Sequence, residues 1–236
     1  MQFGIIGSGS WATALAKILT DNGETIEWGV RNEKIVQHLY QRNHNPNYLS
    51  SVYFNKENIR LHVKAADVFS NADCIVIAVP SAYAIDSLSG LESKDFENKK
   101  IVSAIKGILP SNNLLLNEYL ETTYQLGIEN YFTVMGPCHA EEVAAEKLSY
   151  LTFSGVDLTL ARQIAAHFTT EYMNTVINSD VTGVQFAAIL KNIYALGAGI
   201  AHGLEYGDNF LSVLIANCAD EMAGFLQKTG IPHMEV

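Results

Sequence analysis

Short apolar runs rich in Val, Ile and Phe alternate with helical patterns from the start of the chain to about residue 176. Strands are predicted at 2–6, 25–30, 59–63, 73–79, 100–105, 130–135, 149–154 and 172–176. Such alternation is typical of a mostly parallel sheet with helices packed on it. The segment 41–56 is rich in asparagine and contains Pro46, so it is predicted to run over the surface.

Beyond residue 180 the strand signals stop, and two long apolar helical patterns follow at about 181–203 and 209–228. Asp208 is predicted to cap the second helix, and Gly230 followed by Pro232 to end it. The pattern therefore predicts two domains, an α/β domain over residues 1–180 and a partial all-α domain over residues 181–236.

The stretch 186–201 is the nearest approach to a membrane span, but it is shorter than the roughly 18 residues that a span needs. Lys191 and Asn192 also lie near its middle. These two features favour a buried core helix, and no stable membrane insertion is expected.

The composition indicates a folded protein, with 48% hydrophobic and 17% charged residues. A net charge of −10 gives no basic field for a phosphate backbone, so nucleic acid is not expected as a partner. Three scattered cysteines fit free thiols in a reducing compartment, and neither zinc nor disulfides are expected. The first residues form a predicted strand rather than a signal peptide, which favours the cytoplasm.

A glycine motif, Gly7-Ser8-Gly9-Ser10-Trp11-Ala12, joins the first strand to a helix. Gly7 would allow a tight turn, Gly9 would let the backbone approach a pyrophosphate, and Ala12 would let the helix pack closely. The alternative is a glycine-rich turn of any α/β protein. The flanking strand and helix favour a dinucleotide-binding, Rossmann-like domain.

The end of the second predicted strand carries Arg31 instead of the acid that usually binds the ribose 2′-hydroxyl of NAD. Arg31 could hold a 2′-phosphate, which favours NADPH while leaving NAD possible as cofactor. The alternative is an arginine that is merely solvated.

Three later strand ends carry unusual loops: Val79-Pro80-Ser81, Ile105-Lys106-Gly107 and Gly136-Pro137-Cys138-His139-Ala140. Ligands of open α/β sheets bind beyond the carboxyl ends of the strands, so these loops are expected to line one crevice with the glycine motif. Lys106 by itself fits a surface residue equally well. Adjacent Cys138 and His139 seldom reach each other as nucleophile and base, so a thiol nucleophile is not favoured.

Lys191 lies in a stretch that is apolar around nearly the whole helix, which predicts burial. Ala187, Ala188 and Ala195 lie one turn away and would leave space beside its ammonium. Removal from water, with a second lysine nearby, would make that ammonium a readier proton donor. The alternative is a lysine that extends to solvent from the helix edge.

Six motifs together resemble, in order and spacing, the bacterial type of NAD(P)-dependent glycerol-3-phosphate dehydrogenase. They are Gly7-Ser-Gly-Ser-Trp-Ala-Thr-Ala-Leu-Ala16, Ala78-Val-Pro-Ser81, Ala104-Ile-Lys-Gly-Ile108, Gly136-Pro-Cys-His-Ala-Glu-Glu-Val143, Leu190-Lys-Asn-Ile-Tyr-Ala195 and Gly203-Leu-Glu-Tyr-Gly-Asp-Asn209. Each motif alone is unspecific, whereas the combination is highly specific.

The resemblance implies hydride transfer between NAD(P)H and dihydroxyacetone phosphate, giving sn-glycerol 3-phosphate for phospholipid synthesis. It implies that Lys191 moves the proton. It matches Ser10, Trp11, Arg31, Lys106 and Ala140 to positions that contact the dinucleotide in the family. From the glycine turn and the strand-end loops, Gly7, Gly9 and Pro80 are also predicted to bind the cofactor. The corresponding substrate positions are Lys106, Gly136, Cys138 and Asn192.

The chain departs from the family pattern in two respects. Cys138 stands where the family usually has Ser or Thr, which would weaken a substrate hydrogen bond. The family's later Gly-Asp-Leu and Ser-Arg-Asn motifs do not follow, so the chain is expected to be incomplete and its turnover is in doubt. A non-catalytic dinucleotide-binding protein and a related hydroxyacid or sugar-nucleotide dehydrogenase therefore stay as alternatives. The apolar helices after residue 181 fit either a homodimer contact or a further segment of the same chain.

Overall fold

An eight-stranded sheet lies at the centre of the computed structural model, which describes residues 1–228. Its order is β3-β2-β1-β4-β5-β6-β7-β8, and every neighbouring pair is parallel except β6 with β7. The strands are β1 (Phe3–Ile6), β2 (Ile26–Gly29), β3 (Ile59–His62), β4 (Cys74–Ile77), β5 (Lys100–Ser103), β6 (Tyr131–Met135), β7 (Ser149–Ser154) and β8 (Met173–Asn178). The prediction of a mostly parallel, Rossmann-like sheet is confirmed, and each predicted strand is present.

Helices cover both faces of this sheet because successive side chains of each strand point to opposite faces. The helices are α1 (Ser10–Asp21), α2 (Glu33–Arg42), α3 (Ala65–Asn71), α4 (Ala84–Ser87), α5 (Leu116–Tyr124), α6 (Ala140–Ala144), α7 (Leu158–Ala166), α8 (Val181–Gly203) and α9 (Gly207–Lys228). One core joins the sheet to α1, α2, α6 and α7, and the other joins it to α3, α4 and α5.

The segment between α2 and β3 is irregular, as predicted, but it is not simply a surface excursion. Asn45 is fully buried, and Val52 and Phe54 are almost fully buried. The Phe54 ring packs edge-on against Trp28 of β2, with 5.1 Å between the ring centroids. Apolar side chains spaced between polar ones hold this loop against the core, which a count of turn-forming residues did not reveal.

The two long helices have the predicted bounds within two residues. Asp208 lies in the first turn of α9, which begins at Gly207, so Asp208 is inside the helix rather than preceding it as a cap. The predicted stop at Gly230 and Pro232 lies outside the described residues.

Burial of α8 differs from the prediction. Its first two turns pack against β6, where Val184 and Ala187 are buried, but most side chains from Lys191 onward are exposed. The prediction that the whole helix is buried is therefore wrong for its second half, because an apolar pattern does not show which elements cover a helix; α8 contacts β6 and α9. By length and composition α8 is the one helix within residues 1–228 that could cross a membrane, which alone is weak evidence for a span.

Candidate functional site

The glycine turn after β1 has the geometry that its sequence predicts. Gly7 has a φ of +127°, and a Cβ atom there would lie 2.3 Å from the carbonyl oxygen of Ala78, so only glycine fits. At Gly9 an added Cβ would meet nothing within 4 Å. The backbone at Gly9 therefore faces open space, and α1 begins immediately afterwards at Ser10. A free space at a helix N-terminus suits a pyrophosphate.

Side chains from two other parts of the chain brace this turn. Asn45 donates from Nδ2 to the carbonyl oxygen of Ser8 at 3.1 Å and to Oγ1 of Thr13 at 2.8 Å. The indole Nε1 of Trp28 donates to the carbonyl oxygen of Gly7 at 2.7 Å. Asn45 was missed from the sequence because it lies in a turn-prone loop, where an asparagine is ordinary.

A cavity of about 710 Å³ opens beyond the carboxyl ends of β1, β2 and β4. Gly7, Gly9, Arg31 and Pro80 all line it, which brings together four of the predicted cofactor positions. Further lining residues that the sequence analysis missed are Tyr48, Lys64, Tyr83 and Asp86. The volume, the open backbone at Gly9 and the position at the strand ends fit a dinucleotide.

The other predicted positions lie beside a second group of residues, centred on Lys106 after β5. The Nζ atom of Lys106 is 3.4 Å from the carbonyl oxygen of Gly136 and 5.8 Å from the centre of the Trp11 ring. The thiol of Cys138 donates to the carbonyl oxygen of Tyr150 at 3.0 Å. A Cβ atom on Gly136 would lie 2.5 Å from that same oxygen, so the loop after β6 passes close to β7.

Electrostatic interactions place Lys191 in this group. Desolvation of its ammonium and the nearby charge of Lys191 lower the pKa of Lys106, although part of the Lys106 side chain still reaches solvent. Burial raises the pKa of the Cys138 thiol, and Lys106 and Lys191 both oppose that rise. Lys191 itself is exposed, contrary to the prediction of burial.

Neither Lys106 nor Lys191 forms an ion pair with a carboxylate among residues 1–228. Two ammonium groups that repel each other and have no carboxylate partner among these residues would favour a bound anion. Asn192 follows Lys191 on α8 and is exposed. Ala140 is buried at the first position of α6, where that helix meets α1. The roles assigned to these residues stay predictions.

A buried glutamine that the sequence analysis missed fixes the start of α8. Gln185 accepts a hydrogen bond from the Tyr131 hydroxyl at 2.9 Å and donates to the Asn117 side chain at 3.0 Å. These contacts join α8 to β6 and α5, and Lys191 lies six residues further along the same helix. A glutamine inside an apolar helical pattern was the available signal.

Comparison with known proteins agrees with this arrangement. Family models for the N-terminus and the C-terminus of NAD-dependent glycerol-3-phosphate dehydrogenase match residues 2–161 and 180–236. A glycerol-3-phosphate dehydrogenase [NAD(P)+] of Latilactobacillus sakei is 34% identical over 227 residues, covering 93% of this chain and 65% of the relative. One from Streptococcus thermophilus is 32% identical, covering 97% of this chain and 67% of the relative. The chain thus spans about two thirds of the length of these relatives.

A solved glycerol-3-phosphate dehydrogenase from Plasmodium falciparum superposes with a TM-score of 0.88 at 26% identity, covering 100% of this chain and 68% of that one. One from Saccharomyces cerevisiae gives 0.80 at 25% identity, covering 97% and 70%. The matched residues include the glycine turn, the Lys106 loop and the start of α8. The chain belongs to the NAD-dependent glycerol-3-phosphate dehydrogenase family.

Proposed function

We propose that this protein interconverts dihydroxyacetone phosphate and sn-glycerol 3-phosphate with NAD(P)H in the cytoplasm, and so supplies glycerol 3-phosphate for phospholipid synthesis. The observation that carries the proposal is the meeting of Lys106 and Lys191 at the carboxyl edge of the sheet, without a carboxylate partner within residues 1–228. The names of the relatives, glycerol-3-phosphate dehydrogenase [NAD(P)+], point to the same reaction.

The proposed chemistry assigns separate tasks to the two lysines. The nicotinamide, when bound, supplies hydride to the C2 carbonyl carbon of dihydroxyacetone phosphate. The ammonium of Lys191 stabilises the negative charge that develops on the carbonyl oxygen and gives that oxygen its proton. In the opposite direction the neutral amine of Lys191 takes the proton from the C2 hydroxyl. Lys106, with the Gly136 and Cys138 loop and Asn192, holds the substrate beside the cofactor.

The cofactor would be held mainly by the glycine turn. Gly7 and Gly9 offer their backbone to the pyrophosphate, with Ser10 at the N-terminus of α1. Arg31 and Pro80 line the same cavity. Trp11, Lys106 and Ala140 are the proposed contacts toward the nicotinamide end, where the substrate group begins.

A second candidate is a non-catalytic dinucleotide-binding protein, which the exposure of Lys191 favours. General acid catalysis works best where water is excluded, and the second half of α8 is open to solvent. A third candidate is a related hydroxyacid or sugar-nucleotide dehydrogenase. Such an enzyme would have the same kind of sheet, but its reaction would not account for two lysines at one site. Turnover measured with phosphorylated trioses, hydroxyacids and sugar nucleotides as substrates distinguishes this candidate from the first.

The test combines binding and turnover on this chain. We expect NADPH to bind and to be oxidised when dihydroxyacetone phosphate is added. Lys191→Ala should lower kcat about 100- to 10,000-fold, the range for loss of a general acid, while the dinucleotide Kd stays within about twofold. Lys56→Ala, at an exposed position that does not line the cavity, is the matched control and should change neither value.

The outcomes separate the candidates. NADPH binding without oxidation by wild-type protein would favour the second candidate over the enzyme. Turnover retained in Lys191→Ala would contradict the role of this lysine. A chain that binds neither NADPH nor NADH would overturn both proposals.

We also propose a homodimer contact through α8 and α9. Ile193, Leu196, Ile200 and Val213 are exposed on these two helices, which is unusual for so many apolar side chains. Sedimentation equilibrium of this chain should then give twice the mass of one chain, and the mass of a single chain would contradict the contact.

A further inference from the structure

A series of buried polar side chains lies between the sheet and the start of α8. Ser103 is fully buried, Tyr131 is 1% exposed and Gln185 is 3% exposed. These residues belong to β5, β6 and α8 respectively. Buried polar side chains that have their hydrogen-bond partners fix one arrangement of the elements they join, which apolar contacts alone do less strictly.

The series begins at the loop that carries Lys106. The backbone amide of Ile105 donates to Oγ of Ser103 at 3.2 Å, and Lys106 is the next residue. Burial raises the pKa of the Tyr131 hydroxyl, and a side-chain hydrogen bond with Ser103 opposes that rise. Ser103 therefore contacts both the backbone before Lys106 and the hydroxyl of Tyr131.

The series ends on the helix that carries Lys191. The Tyr131 hydroxyl donates to Oε1 of Gln185 at 2.9 Å. The Nε2 atom of Gln185 donates to Oδ1 of Asn117 and to the carbonyl oxygen of Val181, both at 3.0 Å. The amide of Gln185 thus has partners for its oxygen and for both of its N–H groups, which fixes its orientation.

The position of Gln185 on α8 sets where the next two turns of this helix lie. Lys191 is six residues further, about 9 Å along the helix axis, and Asn192 is seven residues further, close to two full turns. Asn192 is therefore on the same face of α8 as Gln185. A rotation or tilt at Gln185 would displace Lys191 and Asn192 together relative to the Lys106 loop, because a helix moves as a rigid element.

We infer that Tyr131 and Gln185 are positioning residues, which hold the Lys106 loop and the Lys191 helix at the separation that the bound substrate requires. This inference rests on the proposed function, because the substrate is the anion that the two ammonium groups would share. Tyr131 and Gln185 are buried between the sheet and α8, so their effect on the reaction is indirect.

The experiment compares Tyr131→Phe with a matched control, Tyr124→Phe. Each removes one hydroxyl from a buried tyrosine of the same core, and the Tyr124 hydroxyl donates to the Leu88 carbonyl oxygen at 3.3 Å, away from both lysines. Tyr131→Phe should lower kcat with dihydroxyacetone phosphate and NADPH about tenfold, because small misplacements of reacting groups slow a reaction. Tyr124→Phe should lower the urea midpoint by a similar amount but change kcat less than about twofold. The Kd of NADPH should change less than about twofold in both variants.

Alkaline pH gives a second readout that a loss of stability alone would not change. Partial desolvation and the charge of Lys191 lower the pKa of Lys106, and Cys138 opposes them. If Lys191 moves away in Tyr131→Phe, one of these causes is removed and the pKa of Lys106 rises toward the ordinary 10.5. The KM for dihydroxyacetone phosphate should then begin to increase at a higher pH than in wild type, whereas Tyr124→Phe should keep the wild-type profile.

A second variant breaks the same contact from the helix. Gln185→Met keeps the approximate length of the side chain but removes its amide, and it should lower kcat at least as much as Tyr131→Phe. The double variant should lower kcat little further, because both substitutions remove one shared hydrogen bond. Losses that multiply in the double variant would contradict a joint role.

Each outcome has a distinct meaning. A lower kcat and a shifted pH profile in Tyr131→Phe, but not in Tyr124→Phe, support the inference. Equal kcat values in these two variants, or a loss of kcat with the wild-type pH profile, overturn the inference and leave the proposed function standing. Absence of turnover in the wild-type protein overturns the proposed function together with the inference. If Tyr131→Phe does not fold, Gln185→Met measured against the same control decides between these outcomes.

Discussion

Lys17 on α1 is buried, Lys106 after β5 is exposed, and the groups around their ammoniums are opposite in charge. Burial of Lys17 works against its charge, yet hydrogen bonds to Asp21 and Glu146 raise its pKa above the ordinary value. Burial of Lys106 and the neighbouring Lys191 lower its pKa instead. Lys17 is 7% exposed and also lies 3.4 Å from the Tyr172 hydroxyl, so its donors are satisfied by the fold.

The difference shows that two lysines of one chain can have opposite charged neighbours, carboxylates around Lys17 and a second lysine beside Lys106. Lys17 joins α1 to the turn after α6 and to the residue before β8, and these contacts neutralise it. Lys106 has another cation as its neighbour, so a further anion would relieve the repulsion. The fold supplies the partner of Lys17, and we propose that the substrate supplies the partner of Lys106.

Replacement of Lys106 gives the largest effect that this comparison predicts. Lys106→Met should raise the KM for dihydroxyacetone phosphate about 50-fold, because it removes a charge-assisted hydrogen bond from the bound anion. Steady-state kinetics with saturating NADPH measures the change. Lys56→Met is the control. It is preferred to Lys99→Met because Lys99 donates a hydrogen bond to the Ala72 carbonyl oxygen. An unchanged KM would break the distinction between the two lysines.

Replacement of Lys17 should act on stability and not on binding. Lys17→Met should lower the free energy of unfolding by about 2 kcal/mol, less than for a fully buried pair because Asp21 and Glu146 keep part of their solvent contact. Urea unfolding measures it. Lys147→Met breaks the exposed pair with Glu142 and should cost less than about 0.5 kcal/mol. A larger loss in the control than in Lys17→Met would contradict the comparison.

The two lysines should also respond to pH in different ranges. Anion binding needs protonated Lys106, whose pKa lies below the ordinary 10.5, so substrate affinity should begin to fall at a lower pH than for an ordinary lysine. The fall approaches about tenfold per pH unit above that pKa. The stabilisation from Lys17 is fully present below 10.5 and is lost only as pH rises through its raised folded-state pKa. Substrate Kd and urea midpoints measured across alkaline pH test both, and Lys106→Arg should remove the fall in affinity.

Cys138 gives the smallest predicted effect. Cys138→Ser should change the KM for dihydroxyacetone phosphate less than about threefold, because a hydroxyl can make the same donation to the Tyr150 carbonyl oxygen that the thiol makes now. A tenfold change in KM would show that the thiol itself contacts the substrate. Steady-state kinetics of Cys138→Ser and of the wild-type protein measure this change in KM.

Sequence patterns predicted the sheet well because its central strands are buried on both faces and appear as short apolar runs between helical segments. Gly7, Gly9, Arg31 and Pro80 could be expected at one cavity because strand ends of a parallel sheet meet at one edge. The bracing role of Asn45 was not foreseen, since it depends on a loop returning from a distant part of the chain. The exposure of Lys191 was also missed, because an apolar helical pattern does not reveal what packs against it.

By itself the sequence determined the order of strands and helices, the glycine turn and the family, because these depend on local patterns and spacing. Only the tertiary structure decided which lysines have carboxylate partners. It brings Glu146 to Lys17 and Lys191 toward Lys106 across long separations in the chain. The resulting charges and their distance from water depend on packing, and so the chemistry of each lysine does as well.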